Sequence, residues 1–126
     1  SRHNLVEPRH IMALLCHMTR SPHFKVFEDS LPIAGVDGTI RSRMRGTPAE
    51  KNARAKTGYI GRVRALSGYV TSADGHRLAF TLMANNFTVP VSRANDTQDS
   101  ITVLLARYSE SGAQPNLDAP GARSGE

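Results

Sequence analysis

The sequence has a single cysteine in 126 residues, Cys16, so it cannot close a disulfide on itself and cysteine usage gives no reading of compartment. No apolar run approaches the roughly 18 residues that a membrane-spanning helix needs. Neither a basic n-region nor an apolar h-region is visible at the start, so these residues show no targeting signal. There is no internal repeat. Acids are scarce where bases crowd: residues 41–64 hold Arg41, Arg43, Arg45, Lys51, Arg54, Lys56, Arg62 and Arg64 against Glu50 alone. This excess of bases more than accounts for the chain's net charge of +5 and would draw in anionic ligands, a carboxylate among them. It fits equally a solvated basic face or a small nucleic-acid-binding module. Against nucleic acid, no RNA- or DNA-binding motif accompanies it, and the aromatic residues are not interleaved with the basic ones.

Several chemistries are absent as well. No serine has a lysine three residues later; Ser21 and Lys25 are four apart across Pro22. There is no Ser-x-Asn triplet and no Gly-x-Ser-x-Gly elbow. Lys56 follows alanine and precedes Thr57-Gly58, the wrong order for a phosphate-cradling loop. No nucleophile is therefore visible. His3, His10 and His17 recur every seven residues, with Cys16 adjacent. Seven residues are two helical turns, roughly 10 Å, so consecutive members cannot converge on one zinc ion. They read as boundary residues, Cys16 as a small core filler, and no metal or cofactor is expected.

With 39% hydrophobic and 21% charged residues, the chain suits one small domain or part of a larger one. The abrupt opening Ser1-Arg2-His3-Asn4, almost directly before a helix, predicts a piece of a longer polypeptide. Glu7-Pro8 starts that helix, and Ile11, Leu14, Leu15 and Met18 fall on one stripe before Ser21-Pro22 breaks it. Phe24–Phe27 reads as a short apolar segment. Gly35 and Gly38 flank Val36-Asp37, which is turn chemistry, and a short Arg-rich helical or irregular stretch begins at Thr39-Ile40. From residue 53 the period changes. Residues 53–57 read as extended, and residues 66–72 alternate, with Leu66, Gly68 and Val70 on one face. Asp74-Gly75 is a two-residue hairpin signal. In the partner strand Leu78, Phe80, Leu82 and Ala84 face one way and Ala79, Thr81 and Met83 the other. Because both faces are apolar, this strand is expected at the centre of a sheet covered on both sides. A closing helix is predicted over about 96–108, with Asp96 and Asp99 near its positive start and Ile101, Leu104, Leu105 and Tyr108 as its stripe. Residues 109–126, mostly small and polar, predict a disordered tail. The class is α+β with an antiparallel sheet.

Lys56-Thr57-Gly58 lies on a short strand ahead of that hairpin, within the most basic part of the chain. A lysine and an adjacent hydroxyl can together bind a carboxylate, and a glycine beside them lets a ligand backbone approach the strand edge. The next backbone N–H can act as an oxyanion donor. A basic strand edge facing water is the bland alternative.

Four stretches, SRHNLVEPRHIMALLCHM at 1–18, LPIAGVDGTI at 31–40, RAKTG at 54–58 and LSGYVTSADGHRLAFTLMAN at 66–85, carry a resemblance. They resemble the C-terminal part of class C low-molecular-mass penicillin-binding proteins, the serine-type D-Ala-D-Ala carboxypeptidase/endopeptidase family. The likeness covers about residues 1–108, leaving 109–126 as tail. It implies part of the penicillin-recognising serine transpeptidase (β-lactamase-like) fold, with an antiparallel sheet and flanking helices. That family uses Ser-x-x-Lys, Ser-x-Asn and Lys-Thr-Gly, and only the third stands here. The resemblance implies that Lys56 and Thr57 bind a substrate carboxylate, that Gly58 keeps the strand edge open, and that the Tyr59 N–H is an oxyanion donor. Ser1 and Arg2 would border the cleft. The nucleophile is expected upstream, so the chain alone is expected to be inactive, and to be marginal in stability or to associate. The implied ligand is a peptidoglycan stem peptide or a β-lactam, the implied partner the upstream part of the same polypeptide, and the implied location the cell envelope or periplasm. Where the family usually has Thr or Ser after the triplet, this chain has Tyr59, followed by Ile60-Gly61-Arg62. A degenerate, non-catalytic relative is a third reading.

Overall fold

The computed structural model describes residues 3–111. The first helix, α1 (Pro8–Met18), starts where predicted: Pro8 occupies a position whose N–H has no helical partner, and the Glu7 N–H donates to His10 Nδ1 at 3.4 Å. His10 thus serves the helix start. Leu15 is buried but Leu14 is half exposed, so the apolar stripe is narrower than its spacing suggested. Cys16 is exposed, which corrects its reading as core filler. It is one residue, about 100° of helix rotation, beyond the buried Leu15.

The segment read as merely apolar is a second helix, α2 (Phe24–Asp29). Lys25 and Asp29 pair across one turn at 2.6 Å, and the lysine's hydrogen bond holds the Asp29 carboxyl below its usual range. Phe24 and Phe27, three residues apart, both meet the Tyr69 ring edge-to-face, with centroids 5.2 and 6.4 Å away. Tyr69 is almost fully buried, and its hydroxyl donates to the Leu15 carbonyl at 2.7 Å. Burial pushes its phenol pKa up. One side chain therefore joins both helices to the sheet.

That sheet is antiparallel, β1 (Arg54–Ile60), β2 (Val63–Thr71) and β3 (Arg77–Asn85), in the order β1-β2-β3. The period-two reading holds. Leu66, Val70 and Phe80 enter the main core with Ala34, Ile40, Ala53 and Ala55, while Tyr69 points to the α1/α2 side. Among the described residues β3 is an edge strand and β2 the central one, which corrects the predicted position of β3. Helix α1 and the last helix, α3 (Val91–Arg107), both pack on β3. Two apolar faces report the layers above and below a strand and carry no information about its lateral neighbours.

Asp74-Gly75 sits in a longer turn than a two-residue hairpin. The Ser72 N–H donates to the His76 carbonyl at 2.8 Å, the Gly75 N–H returns to Ser72, and Gly75 has φ of +86°. A three-residue loop ending in a left-handed glycine has this form. The Asp74 carboxylate accepts from the Ser72 hydroxyl and from the Glu110 N–H, and both bonds hold its pKa below the usual range. Residues just after the last helix are thereby tied to the turn, and 112–126 lie outside the described residues.

The last helix, α3, runs Val91–Arg107 and begins five residues earlier than predicted, after Pro90. Asp96 and Asp99 are therefore interior residues. The buried face is Ala94, Gln98, Thr102 and Ala106, while Ile101 and Leu104 are largely exposed. Small residues every four positions let the helix lie close to the sheet, with Val103 and Leu105 partly buried beside them while Ile101 and Leu104 turn outward.

Gly68 shows how tight this core is. A Cβ there would lie 2.0 Å from the Arg54 carbonyl oxygen and 2.6 Å from the Ala55 Cα, both backbone atoms on the neighbouring strand. Gly68→Ala is expected to destabilise the chain by about 3 kcal/mol or more, since relief requires separating β1 from β2. Denaturant unfolding against wild type measures this, and a loss below about 1 kcal/mol would show that the strands part easily.

Candidate functional site

The loop before β1 is held by short-range chemistry. The Asp37 carboxylate accepts from the Ile33 N–H at 2.7 Å, and the Gly35 N–H donates to the Ile40 carbonyl at 3.0 Å. Gly35 and Gly38 both have positive φ, as the turn reading required. Ile40 is fully buried and anchors the 3-10 turn Gly38–Ile40. Thr39 is consequently carried against β1, where its hydroxyl meets that of Thr57 at 2.7 Å.

β1 extends to Ile60, three residues past the predicted end. Among the described residues its outer edge is covered only at the start: the Ala55 N–H donates to the Pro32 carbonyl, and Ile33 bridges Arg54. Because the Ala55 N–H points away from β2, strand alternation directs the N–H groups of Thr57 and Tyr59 the same way. Lys56 is exposed on the other face, but its Nζ curls to the edge and donates to the Thr57 carbonyl at 2.8 Å. The ammonium of Lys56, the hydroxyl of Thr57 and the N–H of Tyr59 thus gather along one edge. The fold does not demand the glycine between them. A Cβ on Gly58 would meet only the Ala65 Cβ, at an ordinary 3.6 Å, and φ there is not in the left-handed region.

Two cavities flank this edge. One, of about 240 Å³, is lined by Thr39, Thr57, Tyr59, Arg64, Val91 and Asn95 among others. The second, of about 460 Å³, is more apolar and includes Leu5, Val6, Ile60, Val63 and Met83. Gly58 borders both. Tyr59 is 70% exposed, and its ring lies 5.0 Å from the Arg64 guanidinium carbon.

The basic cluster is less free than its composition suggested. Arg43 is clamped by α3: its Nη2 lies 2.7 Å from Asp99 Oδ1, its Nε donates to the same oxygen, and Nη2 also reaches the Asn95 carbonyl. Arg54 pairs with Asp29 at 3.3 Å. Arg41, Arg45, Lys51, Lys56, Arg62 and Arg64 have no acidic partner within 4.0 Å among the described residues. Sequence reasoning placed Asp99 at a helix start and missed its pairing, since no local pattern links residues 56 apart. Thr39 and Arg64 were likewise not singled out, although both stood in stretches that drew attention. The structure brings Lys56, Thr57, Gly58 and Tyr59 together, whereas Ser1 and Arg2 lie outside the described residues.

The Arg43–Asp99 pair has side chains only 13% and 20% exposed and ties the Thr39 loop to α3. A double-mutant cycle with Arg43→Ala and Asp99→Ala should give a coupling of about 1–3 kcal/mol in unfolding free energy. Additive effects would mean that the pair does not hold the loop.

Residues 1–108 match the family described as D-Ala-D-Ala carboxypeptidase 3 (S13). The D-alanyl-D-alanine carboxypeptidase of Actinomadura sp. (strain R39) is 42% identical over 113 residues, covering 86% of this chain and 20% of that protein. The D-alanyl-D-alanine carboxypeptidase DacB of Haemophilus influenzae is 38% identical over 90 residues, covering 70% and 19%. A crystal structure of penicillin binding protein 4 from H. influenzae, complexed with a β-lactam, superposes with a TM-score of 0.75 at 34% identity. That match covers 86% of this chain and 27% of the solved one. The chain therefore spans about a fifth of the length of the curated relatives it matches.

Proposed function

The chain belongs to the D-Ala-D-Ala carboxypeptidase 3 (S13) family, and from that premise we propose that its β1 edge is the substrate-binding wall of a serine-type D-Ala-D-Ala carboxypeptidase/endopeptidase. The observation that carries the proposal is the convergence of Lys56, Thr57 and the Tyr59 N–H on an uncovered strand edge, beside a glycine that packing does not require.

On this reading a peptidoglycan stem peptide lies along the edge of β1. Lys56 and Thr57 hold its terminal carboxylate by charge-assisted hydrogen bonds, and Gly58 leaves room for its backbone. The Tyr59 N–H donates to the carbonyl oxygen that gains negative charge during attack. A serine hydroxyl from outside these 126 residues attacks the carbonyl of the penultimate D-alanine. An ester forms, the peptide C–N bond breaks, and D-alanine leaves with the serine's proton on its amine. Water then cleaves the ester, regenerating the serine and releasing the shortened peptide. β-Lactams acylate the same serine. Such a substrate places the working protein in the cell envelope or periplasm.

Two outcomes test the division of labour. In the full-length polypeptide that carries this chain, Lys56→Ala should lower kcat/KM for a D-Ala-D-Ala peptide by about 100-fold or more, with the fold intact by circular dichroism. Undiminished turnover would remove Lys56 from the site. The isolated 126 residues should form no covalent adduct with a labelled penicillin by mass spectrometry. Stoichiometric labelling would show that the nucleophile is among them.

A further inference from the structure

Thr39 has no part in the arrangement just described, yet its hydroxyl lies 2.7 Å from that of Thr57, the group assigned to the substrate carboxylate. Among the described residues it is the one side chain that hydrogen-bonds to the Thr57 hydroxyl. Two arginines line the same cavity, and both are engaged elsewhere. Arg43 is held by Asp99 and the Asn95 carbonyl, and Arg64 by the Gly61 and Val63 carbonyls.

Thr39 is fixed in place by its neighbours. Ile40, next in the chain, is fully buried, and its carbonyl accepts from the Gly35 N–H at 3.0 Å. Gly38, the residue before, has φ of +56°, and a Cβ there would lie 2.8 Å from two ring atoms of Pro32. The Pro32 carbonyl in turn accepts from the Ala55 N–H at 2.9 Å, on the same strand as Thr57. The turn is therefore registered on β1, and the spacing of the two hydroxyls follows from contacts on both sides of Thr39.

Each hydroxyl carries one hydrogen and can both donate and accept. When Thr57 donates its hydrogen to an anion, its bond to Thr39 survives only with Thr39 as the donor. Donation then runs from Thr39 to Thr57 to the carboxylate, and each bond polarises the next. The reverse arrangement would spend the Thr57 hydrogen within the protein and turn a lone pair toward a negative charge. We propose that Thr39 is a positioning residue for the reaction: its hydroxyl donates to Thr57 Oγ1 and fixes that side chain as a donor toward the substrate carboxylate. The inference rests on the acyl-transfer reading of the β1 edge and deepens it. Thr39 acts through Thr57 and touches no substrate itself.

The test uses the full-length polypeptide and kcat/KM for a peptide ending in D-Ala-D-Ala. Thr39→Val, which keeps the branched shape and removes the hydroxyl, should lower kcat/KM by about 3- to 10-fold. Thr39→Ser keeps the hydroxyl and should stay within about twofold of wild type. Added to Thr57→Val, Thr39→Val should change kcat/KM by less than about twofold, because the group it acts through is gone. The rate of acylation by a labelled penicillin, which also bears a carboxylate, should follow the same pattern and does not depend on ester hydrolysis. If Thr39→Val does not fold, Thr39→Ala takes its place. Equal losses in Thr39→Val and Thr39→Ser, or a loss that multiplies with that of Thr57→Val, would show that Thr39 serves the loop and would overturn the inference. Undiminished turnover in Thr39→Val would overturn it too. Failure of wild type both to turn over the peptide and to react with penicillin would instead overturn the acyl-transfer reading, and this inference with it.

Discussion

At residue 68 the backbone of β1 occupies the space that a side chain would fill, and the sheet is built around that approach. With no Cβ in the way, Ala55 lies against β2 and is fully buried. The start of β1 then meets residues 32–34 on its outer side, and its remaining residues run on to Ile60 with their edge uncovered among the described residues. Gly58 is different, because a Cβ there would meet only the Ala65 Cβ, at an ordinary contact distance. One glycine is set by packing, and the other is not.

Around this pinch the layers are joined by a few polar contacts, each well shielded. Tyr69 ties α1 and α2 to one face through a buried hydroxyl and two edge-to-face rings. Arg43 ties the Thr39 loop to α3 on the other face. A half-buried ion pair contributes little net stability compared with apolar packing, but breaking one partner is costly, so such a pair specifies geometry. Here the geometry concerned is the distance between two threonine hydroxyls. The small buried face of α3 (Ala94, Gln98, Thr102 and Ala106) brings that helix close enough for Arg43 to reach Asp99.

The parts legible in the sequence were those governed by neighbours along the chain. Proline at the first turn of α1, the positive-φ glycines around Asp37 and the alternation of β2 and β3 are local physics, and each was found. The triplet at Lys56 was legible because its residue types and order are restricted, and because the stretches around it resembled one family. The misreadings share a cause. Period and hydrophobicity predicted Ile101, Leu104, Leu105 and Tyr108 as the buried stripe of α3, but of these only Leu105 packs against the core, and close packing selected smaller residues for the rest. β3 was placed centrally because both its faces are apolar, although a face says nothing about an edge. Cys16 was assigned to the core by residue type, and helix rotation puts it in solvent.

The sequence by itself determined the class of the fold, the hairpin of β2 and β3, and the family that Lys56-Thr57-Gly58 and the stretches around it resemble. Those depend on backbone preferences, side-chain period and residue order, all of which are properties of contiguous residues. Tertiary structure alone decided which charges are free to act. Arg43 and Arg64 look alike in the sequence, two members of one basic cluster. Folding sets Asp99 against the first and leaves the second under the Tyr59 ring with no acidic partner among the described residues. Coulombic pairing depends on distance through space, and the 56 residues between Arg43 and Asp99 hold no pattern that reports it.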